Sequence, residues 1–191
     1  MFNISGRIKI TQETRRIQNL LSQLNLSDAL DAACRVRDLS AQIYGLNHVN
    51  YVLSINNLAG VLFKLGNYQD AEPLLSQAIA IMRNTKKSIS PFHADLYSAC
   101  LNGLAETKRM LGAYEESITI HEEALAVREP FEFNHPEEVA QSLQHLAEAH
   151  IEAGHTDKAR TLLERALNLR TRSLGENHPD TIRTRDTLAI I

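Results

Sequence analysis

Apolar residues fall at three- and four-residue steps through "NYVLSINNLAGVLFKL", where Val52, Ile55, Leu58, Ala59 and Leu62 line one face of a helix turning every 3.6 residues. Gly66 closes that helix, because glycine enters the left-handed backbone of a helix end at no steric cost. A second apolar face follows at once in "YQDAEPLLSQAIAIM", with Ala71, Leu74, Leu75, Ala78, Ile81 and Met82. So short a link predicts an antiparallel helix hairpin.

The same pattern is written again further on, in "HADLYSACLNGLAETKRMLGAY" and "HPEEVAQSLQHLAEAHIEAGHT", and it begins once more in "HPDTIRTRDTLA". Leu58, Leu104, Leu146 and Leu188 are spaced by 46, 42 and 42 residues, and Gly66, Gly112 and Gly154 step by the same 46 and 42. The period is therefore 42 with one four-residue insertion, the mark of stacked supersecondary units. Small residues recur where helices must approach closely: Ala59, Ala105, Ala147 and Ala189 in the first helices, Ala78, Ala124 and Ala166 in the second. Pro136 and Pro179 suit a first helical turn, and the acids after them oppose the helix dipole, which makes His135 and His178 boundary residues. No hairpin of this size covers its own apolar face, so neighbours stack and leave a concave groove along the array.

Upstream, Ala29 stands 42 residues before Ala71, so "LNLSDALDAACRVRDLSAQIYGLNH" reads as a second helix, with "TQETRRIQNLLSQL" its degenerate first helix. The leading "FNISGRIKI" places Phe2, Ile4, Ile8 and Ile10 at even positions, which predicts a tail or a short strand. The expected organisation is a tail or strand over 1–10, a degenerate helix pair over 11–47, repeats over 48–89, 90–134 and 135–177, and the first helix of an incomplete or capping repeat over 178–191.

These lines resemble the tetratricopeptide repeat, in the 42-residue variety of kinesin light chains, and the resemblance covers roughly residues 48 to 189. Two departures bear on loop shape: Ser90-Pro91-Phe92-His93 replaces the usual G-x-x-H-P link, and Thr156 stands where Tyr68 and Tyr114 do. The resemblance implies an all-α, right-handed α-solenoid of antiparallel helix hairpins, a protein-interaction module that holds an extended peptide or a partner's helix in its groove. The matching positions are Leu53, Asn56, Asn57, Gly60, Phe63 and Lys64, then Ala99, Asn102, Glu106 and Arg109, then Gln141, Gln144, His145, Glu148 and Glu152. Asparagine and glutamine amides pair with both N–H and C=O of an extended backbone, which singles out Asn56, Asn57, Asn102 and Gln144. The family's carboxylate clamp is poorly met, since Lys64 and Arg109 are the only cations among those positions while Glu106, Glu148 and Glu152 oppose an anion.

Charge refines the picture. The chain carries −3 overall, but Glu106 to Glu152 holds 11 acids against three bases, a local −8, and the remainder is +5. An acidic middle argues against a nucleic-acid stripe and suits a partner with Lys or Arg residues. No apolar run has the length of a signal peptide or membrane span, and Cys34 and Cys100 lie in different repeats as free thiols, which fits a cytoplasmic protein.

An enzyme is not expected, nor a cofactor or a metal. His145, His150 and His155 are spaced by five, which puts successive rings about 140° apart on a helix. "HEEA" at His121 lacks the second histidine of a zinc-protease helix, and no glycine-rich phosphate loop or nucleophile elbow is present. An alternative is a structural assembler: Ile182, Leu188, Ala189, Ile190 and Ile191 on the last helix would seek cover in a homodimer.

Overall fold

The computed structural model describes residues 4–84 and 90–191, and every regular element in them is helical. The chain divides into two compact units, Met1–Ser88 and Ile89–Ile191. The first holds α1 (Ile4–Ser22), α2 (Leu26–Tyr44), α3 (Val49–Lys64) and α4 (Tyr68–Asn84). The second holds α5 (Pro91–Met110), α6 (Tyr114–Arg128), α7 (Pro136–Glu152), α8 (Thr156–Leu174) and α9 (Pro179–Ala189), with a 3₁₀ turn at Glu129–Phe131.

Within each unit consecutive helices pack side by side, so that α2 is covered by both α1 and α3, and α7 by both α6 and α8. Burial follows the repeat register. Ala59, Ala105 and Ala147 are at most 1% exposed and Ala78, Ala124 and Ala166 are fully buried, so a bulkier side chain at any of them would force neighbouring helices apart. Ala189 departs from the series: it is exposed, and among the described residues only α8 packs extensively on α9.

Residues 4–10 correct the expected tail or strand, since they form the opening turns of α1. Ile4 and Ile8 are a helical i, i+4 pair as well as even-numbered positions, and alternation alone did not separate the two periods. Phe2, with the rest of residues 1–3, and the end of the expected 48–89 repeat, residues 85–89, lie outside the described residues.

Helix ends repeat as closely as helix bodies. At Gly66, Gly112 and Gly154 φ is +78°, +82° and +78°. Each glycine N–H bonds the carbonyl three residues back, and the next N–H the carbonyl five back, as in Gly66 to Phe63 (3.0 Å) and Asn67 to Leu62 (2.9 Å). Leu24, 42 residues before Gly66, adopts the same turn at φ +57°. His48 and His178 serve as N-caps, their Nδ1 atoms accepting from the N–H of Asn50 (3.1 Å) and Asp180 (3.2 Å). For His178 the expected boundary role thus has a physical form, the ring nitrogen satisfying a helix donor, whereas His135 stands at the N-cap of α7 without a side-chain capping hydrogen bond.

Candidate functional site

In the second unit the matching positions assemble on α5 and α7. Helical spacing puts Asn102, Glu106 and Arg109 on one stripe of α5, and Gln141, Gln144, His145, Glu148 and Glu152 on one stripe of α7. Arg109 joins the two stripes. Its Nε reaches Glu106 Oε2 at 3.0 Å and its Nη1 reaches Glu152 Oε1 at 3.0 Å. Each of these carboxylates is thereby drawn onto a guanidinium, whereas the exposed Glu148 accepts from the Gln144 amide at 2.8 Å and has no ion-pair partner among the described residues.

Behind this row lies a buried polar layer. His121, fully buried on α6, shares a 3.0 Å hydrogen bond between its Nδ1 and Asn102 Oδ1. Its Nε2 is 3.5 Å from Glu106 Oε1 without forming an aligned hydrogen bond, and its ring lies 5.8 Å from that of His145. His121 first and Arg109 second pull the Glu106 carboxyl down to about 2, against burial, which pushes it up. Of the two, Arg109 carries a permanent charge, whereas His121 contributes attraction only with a proton on Nε2. Burial lowers the pKa of His145, and the neighbouring His121 lowers it further while Glu148 and Glu106 act the other way.

Asn102 and Gln144 stand in that layer and not in the exposed row, which corrects their expected part as solvent-facing readers of a peptide backbone. Asn102 is 9% exposed and engaged with His121, and Gln144 is 2% exposed with its amide nitrogen on Glu148. Asn102 meets His121 of the second helix α6 and Gln144 is buried by packing, neither of which the periodicity of the first helices shows. Gln141 is exposed and accepts from Arg128 Nη1 at 3.3 Å.

The first unit presents the remaining positions on α3. Asn56 and Asn57 are half-buried, the Phe63 ring meets Tyr68 edge-on at 5.2 Å, and Lys64 is exposed at the last turn. In the histidine series, His155 caps α8 and its Nδ1 lies 3.2 Å from His150 Nδ1, while His145 faces His121 instead. Among the described residues no three His, Cys, Asp or Glu side chains are grouped to hold a metal ion. Nor is any described helix long and apolar enough to cross a membrane.

Sequence reasoning missed His121, passed over because its helix lacks a second histidine, and two buried arginines, Arg128 and Arg170. The signal for the arginines was available: they stand 42 residues apart, as do the acids they face, Asp95 and Glu137.

The tetratricopeptide repeat model matches residues 13–84, 96–171 and 138–191. The chain belongs to the tetratricopeptide repeat family. Its relatives include the Arabidopsis thaliana proteins KINESIN LIGHT CHAIN-RELATED 2, 27% identical over 179 residues, and KINESIN LIGHT CHAIN-RELATED 1, 27% identical over 121 residues. These matches cover 86% and 63% of this chain but only 26% and 19% of the relatives' own lengths. Among solved structures, the Podosopora anserina protein with nearly identical TPR-like repeats superposes with a TM-score of 0.76 at 24% identity, covering 96% of this chain and 83% of that one. BtubC (BKLC) from P. vanneervenii superposes at 0.67 with 19% identity, covering 91% and 65% respectively. The repeats are thus of the kinesin-light-chain-like type, and the fold class is the all-α solenoid of this family.

Proposed function

We propose that the protein is a non-catalytic cytoplasmic scaffold that binds an extended peptide or helix of another protein on the faces of its first helices. In the second unit that partner runs over α5 and α7 and presents Lys or Arg residues to Glu148 and the flanking Glu106 and Glu152. The observation that carries the reading is the asymmetry of this row: its one cation, Arg109, is held between Glu106 and Glu152, so the net field facing a partner is negative. In the first unit Asn56, Asn57, Phe63 and Lys64 supply a more neutral face for main chain and apolar side chains. Neither nucleic acid nor membrane is the partner in this reading.

The test is a set of labelled ten-residue peptides, basic, neutral and acidic, titrated by fluorescence anisotropy at low and physiological salt. Basic peptides should bind most tightly, lose affinity with salt, and lose it again in Glu148→Lys. Equal binding of basic and acidic peptides, or indifference to Glu148→Lys, rules the reading out.

A second reading, homodimer assembly, is favoured by the outer face of α9. Ile182 is 40% exposed and Ile190 83%, and with Pro179, Arg183, Asp186 and Thr187 they line a cavity of about 560 Å³. Light scattering across a concentration series decides it, and a concentration-independent monomer eliminates it.

A further inference from the structure

The second unit contains a device used twice. Arg128, at the end of α6, is 7% exposed, and its Nη1 donates to the Glu138 carbonyl (3.0 Å) and the Ser142 hydroxyl (3.1 Å) on the following helix. Arg170, at the same register of α8, is 1% exposed and donates to the Asp180 carbonyl (3.3 Å) and the Thr184 hydroxyl (2.6 Å). Both reach ten and fourteen residues forward. Each arginine also faces an acid on the first helix of its own hairpin, Asp95 at 3.7 Å for Arg128 and Glu137 at 3.1 Å for Arg170.

In the first hairpin the same register inverts these residues. The alignment that carries Ala29 to Ala71, Ser117 and Ala159 carries Ser40 to Met82, Arg128 and Arg170. The alignment that carries Leu24 to Gly66, Gly112 and Gly154 carries Arg7 to Val49, Asp95 and Glu137. So a serine stands where the two full hairpins of the second unit have the guanidinium, and an arginine stands where they have the carboxylate, the α3–α4 hairpin having Met82 and Val49 there. Asn50 and Ser54 hold the positions ten and fourteen residues beyond Ser40.

Ser40 and Arg7 line a cavity of about 330 Å³ between α1, α2 and α3, with Arg15, Tyr44, Asn50 and Asn57 also among its lining residues. Its chemistry is one-sided. It offers two guanidinium groups, two carboxamides and two hydroxyls from these six side chains, and among the described residues no acidic one lines it. Arg7 is steadied over the Tyr44 ring, 5.5 Å from its centroid, and that ring stacks on His48 at 5.1 Å. At the wall Ser40 is 1% exposed, and its buried hydroxyl oxygen has no hydrogen-bond partner among the described residues.

We propose that this cavity is an oxyanion site, taking one carboxylate or phosphate group, with Arg7 and Arg15 supplying the charge and Ser40, Asn50 and Asn57 the directed hydrogen bonds. Serine at the register of Arg128 and Arg170 leaves room, and arginine at the register of Asp95 and Glu137 sets the sign of the guest. The source of the anion is either a free small molecule or an acidic side chain of a bound polypeptide. The site does not depend on the acidic row of the second unit.

The experiment is an NMR titration of the full chain at constant ionic strength with inorganic phosphate, with succinate, and with a glycine-flanked aspartate peptide, using chloride as the control. It is repeated on Arg7→Asp/Ser40→Arg, which restores the arrangement of Asp95 and Arg128 and fills the cavity from within. Saturable shifts centred on Ser40, Asn50 and Asn57 with phosphate or succinate, weakened about tenfold or more in the double variant, support the site with a free anion as its guest. The same behaviour with the aspartate peptide alone supports it with a partner's side chain as the guest. Circular dichroism confirms that the double variant remains folded, and Arg15→Gln provides a second, milder loss of affinity. Shifts that saturate with none of the probes, or that persist unchanged in the double variant, overturn the proposal. Binding of basic peptides to the second unit is scored separately, so failure of either assignment leaves the other standing.

Discussion

Arg170 and Thr184 lie on successive helices, α8 and α9, and their 2.6 Å hydrogen bond from Nη1 to Oγ1 is buried. Because Arg170 also holds Glu137 and the Asp180 carbonyl, its removal strands several polar groups at once. Arg170→Ala should destabilise the second unit by about 3 kcal/mol, toward the lower end of what breaking a buried pair costs because Glu137 keeps some solvent access. Thr184→Val should cost about 1 kcal/mol, one hydrogen bond's worth. Urea denaturation measures both. Arg170→Met should fall well below Arg170→Ala, since an apolar side chain of similar length fills the space, and methionine itself occupies this register at position 82. Equal losses for Ala and Met would mean that the charge, and not the packing, holds this junction.

Leu24 adopts φ +57° and is 82% exposed, so it makes the turn without gaining burial. A side chain in this left-handed region costs about 1–2 kcal/mol, part of which glycine gives back through its freer unfolded chain. Leu24→Gly should therefore raise stability by about 0.5–1 kcal/mol, seen as a higher midpoint for the first unit in thermal or urea unfolding. No change would show that Leu24 gains contacts in solution that offset the strain.

The two cysteines should separate in a thiol titration. Cys100 is fully buried and burial pushes its thiol up to about 12, so almost no thiolate forms at neutral pH. Cys34 is half-buried. With a chromogenic disulfide reagent, one thiol per chain should react under native conditions, and the second should appear only at the rate of unfolding. Two thiols reacting together would contradict the packing of α5.

The fold was legible because each repeat restates the same constraints, so Leu58, Leu104 and Leu146 confirm one another where a lone amphipathic segment would have stayed ambiguous. Site residues were legible only as positions on a helix face. Period assigns Asn102 and Gln144 to the same stripes as Glu106 and Glu148, but it carries no information about which of them packing buries. His121 and the arginines were overlooked for the converse reason. A charged side chain on a helix is ordinarily solvated, and only the recurrence of Arg128 at Arg170, with Asp95 at Glu137, distinguishes a buried pair from a surface one. The α1 boundary failed at a place with little burial to enforce a pattern, since Ile4 and Ile8 are both exposed.

Acid should loosen the second unit in two stages, and the sign can be worked out for each. His145 has a pKa below its ordinary 6.5 because burial disfavours the charged ring, so the unfolded chain binds a proton first. The stability it contributes is complete above about 6.5 and declines as pH falls through and below that value. Glu106 titrates at about 2 against an ordinary 4.5, so its contribution is complete above about 4.5 and is lost as pH falls from there toward 2. Both slopes have the same direction, but they occupy separate windows. The groups facing His145 are His121 and Arg128 from α6, Glu106 from α5 and Glu148 on its own helix, so a variant must leave these in place. His145→Gln should flatten the stability profile as pH falls from about 6.5 and leave the separate fall below about 4.5, measured by urea midpoints across pH. Arg109→Met should do the reverse, raising the Glu106 pKa and shrinking the low-pH fall, because it removes the permanent charge that favours the carboxylate. If His145→Gln leaves the upper window unchanged, the transition there belongs to another histidine. His150, whose pKa burial and Lys158 lower, is then the one to replace.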